Sequence, residues 1–307
     1  MTVCIATLFQ WNYGTKESPD LGIAALTASD RMITAVDVQY EPRQQKIGFF
    51  GRTLVLVAGD IAVHSQAVQD TEKEVEGRLA GPQEIAQIYG SAIQAINRRH
   101  AENEILAPLG LNAATFHAQQ NQFSESFVNS IASQLQNRRP IDVEALVVGP
   151  DGQNAHIYQV DCFGNSICLD GVGFGAIGIG AWHAKSRLMQ IGHVNTRIFA
   201  PALAAIFASK RNAEIAPGVG SQTDLHIVLR GGPCPVGDVV QPELDRLYKK
   251  YSAEVVEIGN KLVAELQEFI DSPRAAPAAA GDDVQSNPVS TAMVVGDEVA
   301  GEKAAVQ

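Results

Sequence analysis

Apolar, β-branched runs alternate with polar, glycine-containing stretches over the first sixty residues. Each run is short enough for one strand, and the stretch 12–22, with Gly14 and Pro19, is typical of a long loop. Gly51-Arg52 separates two of the runs and predicts a hairpin turn. The predicted strands cover residues 2–9, 23–29 (continuing through 30–35), 46–50 and 53–58.

After Gly59 the apolar residues recur at helical spacing, and strand-like runs return later. The predicted helices cover residues 61–79, 82–99, 181–190, 201–211 and 242–270, and the later strands cover 143–148, 155–160, 166–169 and 224–229. This order predicts an α+β domain with layered sheets and helices. The stretch 102–140 carries a partial helical pattern among Gln, Asn and Ser, and predicts an inserted hairpin or helix.

The composition changes after Ser272, where Ala, Pro, Gly and acidic residues dominate and no amphipathic pattern is left. Such a composition is typical of a disordered segment. We therefore expect one domain over residues 1–271, with insertions near 10–22 and 102–140, followed by a disordered acidic tail over 272–307.

Composition and charge exclude several classes of function. A net charge of −11 argues against binding to nucleic acid, and no run of about 18 apolar residues predicts a membrane span. The N-terminus has no basic run leading into an apolar core, so we expect no signal peptide. The four scattered cysteines indicate reduced thiols of a cytoplasmic protein. The seven histidines lack metal-ligand spacing, so neither a metal nor another cofactor is predicted.

Thr2 is the first candidate for chemistry, because it directly follows Met1. If Met1 is removed, Thr2 carries a free α-amine beside its hydroxyl, and an α-amine titrates near pH ~8. A threonine hydroxyl is a weak nucleophile that an adjacent base can activate. Taken alone, however, Met1-Thr2 is more often an ordinary strand start.

Further motifs accompany Thr2. In chain order they are Asp30-Arg31-Met32-Ile33-Thr34, Lys46-Ile47 (16 positions after Asp30, from 30 to 46), Ala58-Gly59-Asp60-Ile61-Ala62, and Gly178-Ile179-Gly180 followed by Ala184. With Thr2 at their head, they resemble the proteasome β-subunit family of N-terminal-nucleophile hydrolases, which includes bacterial HslV and the Anbu proteins. The opening Met1-Thr2-x-Cys4 is most similar to the Anbu type, and the resemblance extends over about residues 2–230.

This resemblance implies a four-layer αββα sandwich, in which helices flank two antiparallel sheets. It also implies a threonine-type peptidase or amidase that acts on peptides or unfolded polypeptides. Members of the family enclose their nucleophiles, so we expect copies of this chain to assemble into a ring or helical stack. An ATPase or other regulator would be an additional partner, which the sequence does not identify.

The resemblance also assigns roles to single residues. Thr2 would be the nucleophile, and its own amine would accept the proton, through a water molecule. The ammonium of Lys46 would favour the deprotonated forms of both groups, and Asp30 would hold Lys46 in place. The N–H of Gly59 would face the developing oxyanion. The main chain of Thr34 would pair with an extended substrate.

The sequence also departs from the family pattern. Ile179 stands where the family usually has a serine, and Gly218 replaces the acid of an Asp-x-x-Ser pair of which Ser221 keeps the serine. In the family these groups help to orient the threonine amine and its water, so the resemblance makes Ser221 a candidate catalytic residue. Asp224 is a candidate replacement for that acid, and Asp37 competes with Asp30. Two alternatives therefore stay open: a structural subunit without turnover, and an amidase for small molecules. Singly, Lys46, Asp30 and Gly59 are also compatible with a solvated lysine and ordinary turn residues.

Overall fold

The computed structural model describes residues 2–35, 38–40, 47–237 and 239–271. The strands are β1 (Cys4–Asn12), β2 (Leu21–Ser29), β3 (Ile33–Ala35), β4 (Val38–Tyr40), β5 (Ile47–Phe50), β6 (Thr53–Gly59), β7 (Val143–Asp151), β8 (Asn154–Val160), β9 (Ser166–Cys168), β10 (Phe174–Ile177), β11 (Asp224–Leu229) and β12 (Gly232–Pro235). The α-helices are α1 (Ile61–Val75), α2 (Pro82–Ala101), α3 (Ala113–Gln119), α4 (Glu125–Asn137), α5 (Ala181–Ile191), α6 (Phe199–Ala213) and α7 (Val240–Asp271).

Two antiparallel five-stranded sheets form the centre of this α+β fold. The first has the strand order β10-β1-β2-β11-β12, and the second has the order β5-β6-β7-β8-β9. Strands β3 and β4 form a separate two-stranded ribbon. The predicted continuation of the second strand through 30–35 is interrupted: β2 ends at Ser29, and residues 33–35 form the separate strand β3, which among the described residues pairs with β4.

Alternation along the strands explains how both sheets are packed. In β1, Ile5 and Phe9 belong to a buried cluster with residues of α5 and α6, whereas Cys4, Ala6 and Leu8 point to the opposite face. That opposite face packs against the second sheet, whose contributions include Leu54, Leu56, Leu146 and Ile157. The other face of the second sheet packs on α1 and α2, through residues that include Val55, Val147, Ile85, Tyr89 and Ile93.

The segment 102–140 is helical, which settles the choice between a hairpin and a helix. A single π-helical turn (Glu102–Leu106) extends α2, and α3 and α4 follow. Asn112 and Ser124 cap these two helices with their side chains, which accept hydrogen bonds from main-chain N–H groups of the first turn. Ile105, Leu106 and Ile131 form a small core that belongs to this segment alone.

Helix α7 is divided between two compact units, the first ending at Tyr251 and the second beginning at Ser252. In the first unit, Leu244 and Tyr248 pack against the cluster of the first sheet. In the second, the apolar side chains of the helix are exposed; they include Val255, Ile258, Leu262, Leu266 and Phe269. No helix among the described residues is both long and apolar enough to cross a bilayer. The predicted tail, 272–307, lies outside the described residues.

Candidate active site

The strands of the first sheet bring several predicted site residues to one edge. Cys4 pairs with both Ser29 and Ile177, so β1 begins beside the ends of β2 and β10. Asp224 pairs with Ser29 as well, so β11 also begins there. The residues just outside these strands, among them Thr2, therefore come together although they are far apart in sequence.

The second sheet reaches the same place with the end of β6 and the start of β7, where Gly59 pairs with Val143. Two contacts join the sheets there. The thiol of Cys4 donates to the carbonyl of Val57 at 3.4 Å, and Glu144 accepts a hydrogen bond from the N–H of Gly178 at 3.1 Å. Gly59 and Thr2 therefore lie at one common end of the two sheets.

Asp30 is the centre of this end. Its carboxylate is fully buried, at 0% exposure. Oδ1 accepts hydrogen bonds from the hydroxyl of Thr2 and from the N–H of Val3 at 3.0 Å. Oδ2 accepts from the N–H groups of Met32 at 3.1 Å and Gly220 at 2.8 Å. One carboxylate thus links the start of β1 to the loop that precedes β11.

Thr2 is buried at 2% exposure, and its hydroxyl donates to Asp30. A carboxylate that accepts from a hydroxyl fixes its orientation and increases the electron density on its oxygen. The sequence analysis linked Asp30 only to Lys46 and missed this direct contact with Thr2. Gly178 is also required here: its φ is +84°, and a Cβ on it would lie 2.4 Å from the Thr2 carbonyl oxygen.

Gly59 lies at a strand-to-helix corner, as the sequence predicts. Its φ is +107°, and a Cβ on it would lie 2.0 Å from the carbonyl oxygen of Asp142, so only glycine fits without displacing the main chain. The next residue, Asp60, caps α1 by accepting from the N–H groups of Ala62 at 2.8 Å and Val63 at 3.2 Å. The predicted role of the Gly59 N–H as an oxyanion donor stays a prediction.

A buried histidine contacts the main chain just before this corner. One ring nitrogen of His64 lies 2.9 Å from the carbonyl oxygen of Ala58, and the other contacts the hydroxyl of Tyr89. Burial lowers the pKa of His64, and burial raises that of Tyr89 above its ordinary value. Both side chains are therefore neutral at pH 7, and they hold the residue just before Gly59. The sequence analysis did not single out either of them.

Ser221 is exposed, and its main-chain oxygen accepts hydrogen bonds from Lys210 at 3.0 Å and Arg211 at 3.1 Å. Its predicted catalytic role stays a prediction. Asp224, the candidate replacement for the missing acid, is buried and forms an ion pair with Arg31. This pair fixes the start of β11 next to Asp30, and it gives Asp224 a structural partner of its own.

For three predicted positions the structure gives no side-chain contacts. Lys46 and Asp37 lie outside the described residues. Thr34 is in β3, where its main chain pairs with Gln39 of β4. The contact between Asp30 and Lys46 and the substrate-binding role of Thr34 stay predictions.

Glu144 is a further charged group at this end that the sequence analysis missed. It lies on β7 between buried Val143 and Ala145, and its carboxylate accepts from Gly178, the glycine that touches Thr2. A charged residue within an otherwise buried strand is uncommon unless it has a partner. That signal was present in the sequence, although nothing there indicated the partner.

No protein-family model and no curated protein sequence matches the chain. Solved structures do match. Anbu, an ancestral β-subunit from Yersinia bercovieri, is 14% identical with a TM-score of 0.57, over 84% of this chain and 97% of that one. An Anbu (Gly-1) mutant from Hyphomicrobium sp. strain MC1 is 14% identical with a TM-score of 0.56, over 85% and 97%. At this identity the comparison shows the fold alone: the chain has a proteasome-like fold similar to that of Anbu.

Proposed function

We propose that this chain is a threonine-type N-terminal-nucleophile peptidase or amidase, with Thr2 as its nucleophile once Met1 has been removed. The observation that carries the proposal is the contact between the Thr2 hydroxyl and the buried carboxylate of Asp30. A fold similar to that of an ancestral β-subunit supports it. The proposal includes the four-layer αββα arrangement, in which helices lie outside two facing sheets.

In the proposed reaction the Thr2 oxygen attacks the carbonyl carbon of a peptide or amide. The freed α-amine of Thr2 takes the hydroxyl proton, through a water molecule, and a proton is delivered to the leaving amine. Asp30 holds the hydroxyl in line, and the Lys46 ammonium favours the neutral amine. The N–H of Gly59 stabilises the oxyanion. Water then hydrolyses the acyl ester and restores Thr2.

We propose further that copies of the chain associate, in the cytoplasm, into a ring or helical stack that admits peptides or unfolded polypeptides. The exposed apolar side chains of the second unit support this, because a large exposed apolar surface is a feature of interfaces. Val255, Ile258, Leu262 and Leu266 recur at spacings of three and four residues along one side of the helix. Nucleic acid and membranes are not proposed as partners.

A structural subunit without turnover is the second candidate. Two observations favour it: Ile179 and Gly218 stand where the family carries polar side chains, and Thr2 is buried. A buried hydroxyl cannot meet a peptide carbonyl until the residues around it move or are removed.

The intact mass of the purified protein, before and after exposure to a β-lactone that acylates threonine, tests the two candidates. The enzyme proposal predicts loss of Met1 and one adduct on Thr2, which Thr2→Ala and Lys46→Ala abolish and Thr2→Ser retains. A retained Met1, or a mass that the lactone does not change, would reject the peptidase and favour the structural subunit. Hydrolysis of small acyl-amides without hydrolysis of peptides would identify the small-molecule amidase.

A further inference from the structure

Lys210 is a fully buried lysine near the end of α6, at 0% exposure. Its ammonium donates to Glu214 Oε1 at 2.5 Å, to the Gly220 carbonyl at 2.7 Å and to the Ser221 carbonyl at 3.0 Å. Lysine is almost never fully buried unless it is paired. Three acceptors match the three N–H bonds of an ammonium group, so this site is built for the charged form.

Burial lowers the pKa of Lys210, and the carboxylate of Glu214 opposes that shift. A buried charge is costly unless its hydrogen bonds are satisfied, and an apolar side chain would fill the same volume without that cost. The position of Lys210 is therefore better explained by what its ammonium holds than by the stability of the core. What it holds is the main chain of Gly220 and Ser221.

Gly220 connects Lys210 to the candidate active site. Its carbonyl accepts from Lys210, while its own N–H donates to Asp30 Oδ2 at 2.8 Å. Glycine restricts its own main chain less than other residues do, because it has no Cβ. At Gly220 the peptide groups on both sides are held by hydrogen bonds instead. Since Asp30 in turn accepts from the Thr2 hydroxyl, three successive hydrogen bonds run from Lys210 through Gly220 and Asp30 to Thr2.

We propose that Lys210 is a positioning residue for the Thr2–Asp30 pair: its ammonium fixes the Gly220-Ser221 main chain, and Gly220 thereby fixes the orientation of the Asp30 carboxylate. The catalytic consequence rests on the proposed function, whereas the mechanical link does not. Small displacements of reacting groups are costly, so loosening the loop should slow acylation of Thr2 without changing how the lactone binds.

The first test is the saturation kinetics of Thr2 acylation by the β-lactone in Lys210→Met. Displacements of about 1 Å cost about 10²-fold in rate, so we expect kinact to fall by at least about tenfold. Ki should change by less than about twofold, because Lys210 is fully buried and therefore not accessible to the lactone. The fold should survive, since Arg211 still bonds both Glu214 and the Ser221 carbonyl. Lys210→Gln, which keeps N–H donors on a shorter side chain, is the second variant and should show the same loss.

His193→Leu is the matched control, because it also removes a buried polar contact. A ring nitrogen of His193 lies 3.0 Å from the carbonyl oxygen of Leu8, farther along β1 and away from the loop. Compared at equal folded fraction, this variant should keep the wild-type kinact. If it lost as much as Lys210→Met, or if both Lys210 variants kept the wild-type kinact, the positioning role would be rejected.

Hydrogen exchange, followed by mass spectrometry of peptides over residues 215–223 and 1–10, tests the link without any reaction. Lys210→Met should lose protection in both peptides, and His193→Leu should keep it in residues 215–223. If the lactone does not acylate the wild-type protein, but Lys210→Met loses protection in both peptides, the peptidase would be rejected and the link from Lys210 to Asp30 would stand. Unchanged protection in Lys210→Met would overturn the link whatever the lactone shows.

Discussion

Replacing Asp30 has consequences that follow directly from the four hydrogen bonds described above, those from Thr2, Val3, Met32 and Gly220. In Asp30→Asn one oxygen becomes an NH₂ group, which donates and cannot accept. If the nitrogen takes the place of Oδ2, it faces two N–H donors, those of Met32 and Gly220. If it takes the place of Oδ1, the Val3 N–H is the one of these four donors that loses its acceptor, because the Thr2 hydroxyl can turn and accept instead. The second orientation costs less and should prevail.

The magnitudes follow from that count. One buried donor without an acceptor costs about 1–3 kcal/mol, and the remaining bonds weaken when the charge is lost, so Asp30→Asn should destabilise the fold by about 2–4 kcal/mol. Asp30→Ala removes this acceptor from the N–H groups of Val3, Met32 and Gly220; the two bonds that are buried, those of Val3 and Gly220, should together cost about 2–6 kcal/mol. These are large fractions of a total stability of about 5–15 kcal/mol.

Urea unfolding followed by circular dichroism measures these differences at constant m-value. The control is Asp20→Asn, an exposed carboxylate paired with Arg230, which should change the stability by less than about 1 kcal/mol. In Asp30→Asn the Thr2 hydroxyl no longer donates to a carboxylate, so acylation of Thr2 should also be lost. The reasoning fails if Asp30→Ala costs no more than Asp20→Asn.

Three further predictions concern the rest of the molecule. Gly59→Ala should destabilise the fold by at least about 2 kcal/mol, because of its positive φ and the blocked Cβ position. Gly171→Ala, whose added Cβ meets no atom within 4 Å and whose φ is not positive, should not; urea midpoints would show the difference. Burial lowers the pKa of His64, His193 and His226, so below the ordinary histidine pKa of 6.5 the unfolded chain binds more protons than the folded one. The free energy of unfolding should therefore be highest above pH 6.5 and fall toward pH 5. A urea midpoint that does not change over this range would contradict the prediction. Leu262→Lys should reduce the mass measured by light scattering if the exposed helix face joins copies, and Glu254→Lys on the same helix should not.

Much of the fold follows from the spacing of apolar residues. The predicted strand 224–229 coincides with β11, and the predicted hairpin turning at Gly51-Arg52 is present between β5 and β6. Three strands were missed: β4, β10 and β12. Strand β4 has only three residues, too few for a period-two pattern to stand out. The sequence of β10, Phe-Gly-Ala-Ile, is short and contains glycine, and β12 begins with Gly-Pro and ends with proline, residues that are rare inside strands. Their pairing is set by neighbouring strands, which a local pattern does not contain.

The sequence pointed to Thr2, Asp30 and Gly59, which the structure brings to one end of the sheets, but it did not indicate their contacts. Thr2 and Asp30 are 28 residues apart, and their meeting depends on the register that places Cys4 opposite Ser29. Lys210 could not be found, because a lysine near the end of a helix is usually a solvated charge beside the final carbonyls. Only the packing of α6 shows that this lysine is buried and that it reaches Gly220.

The buried ammonium of Lys210 also helps to decide between an enzyme and an inert subunit. Replacement by methionine would leave only the Gly220 carbonyl without this partner, since Arg211 still serves Glu214 and Ser221. One lost hydrogen bond costs about 1–3 kcal/mol, and methionine removes the desolvation cost of the ammonium while it fills the same buried volume, so the net change in stability should be close to zero. An inert subunit would gain little from a buried charge at this position. A Lys210→Met variant that keeps its unfolding midpoint but loses acylation of Thr2 would therefore indicate that the charge serves the reaction, and a variant that loses both equally would indicate that the charge serves the stability of the fold.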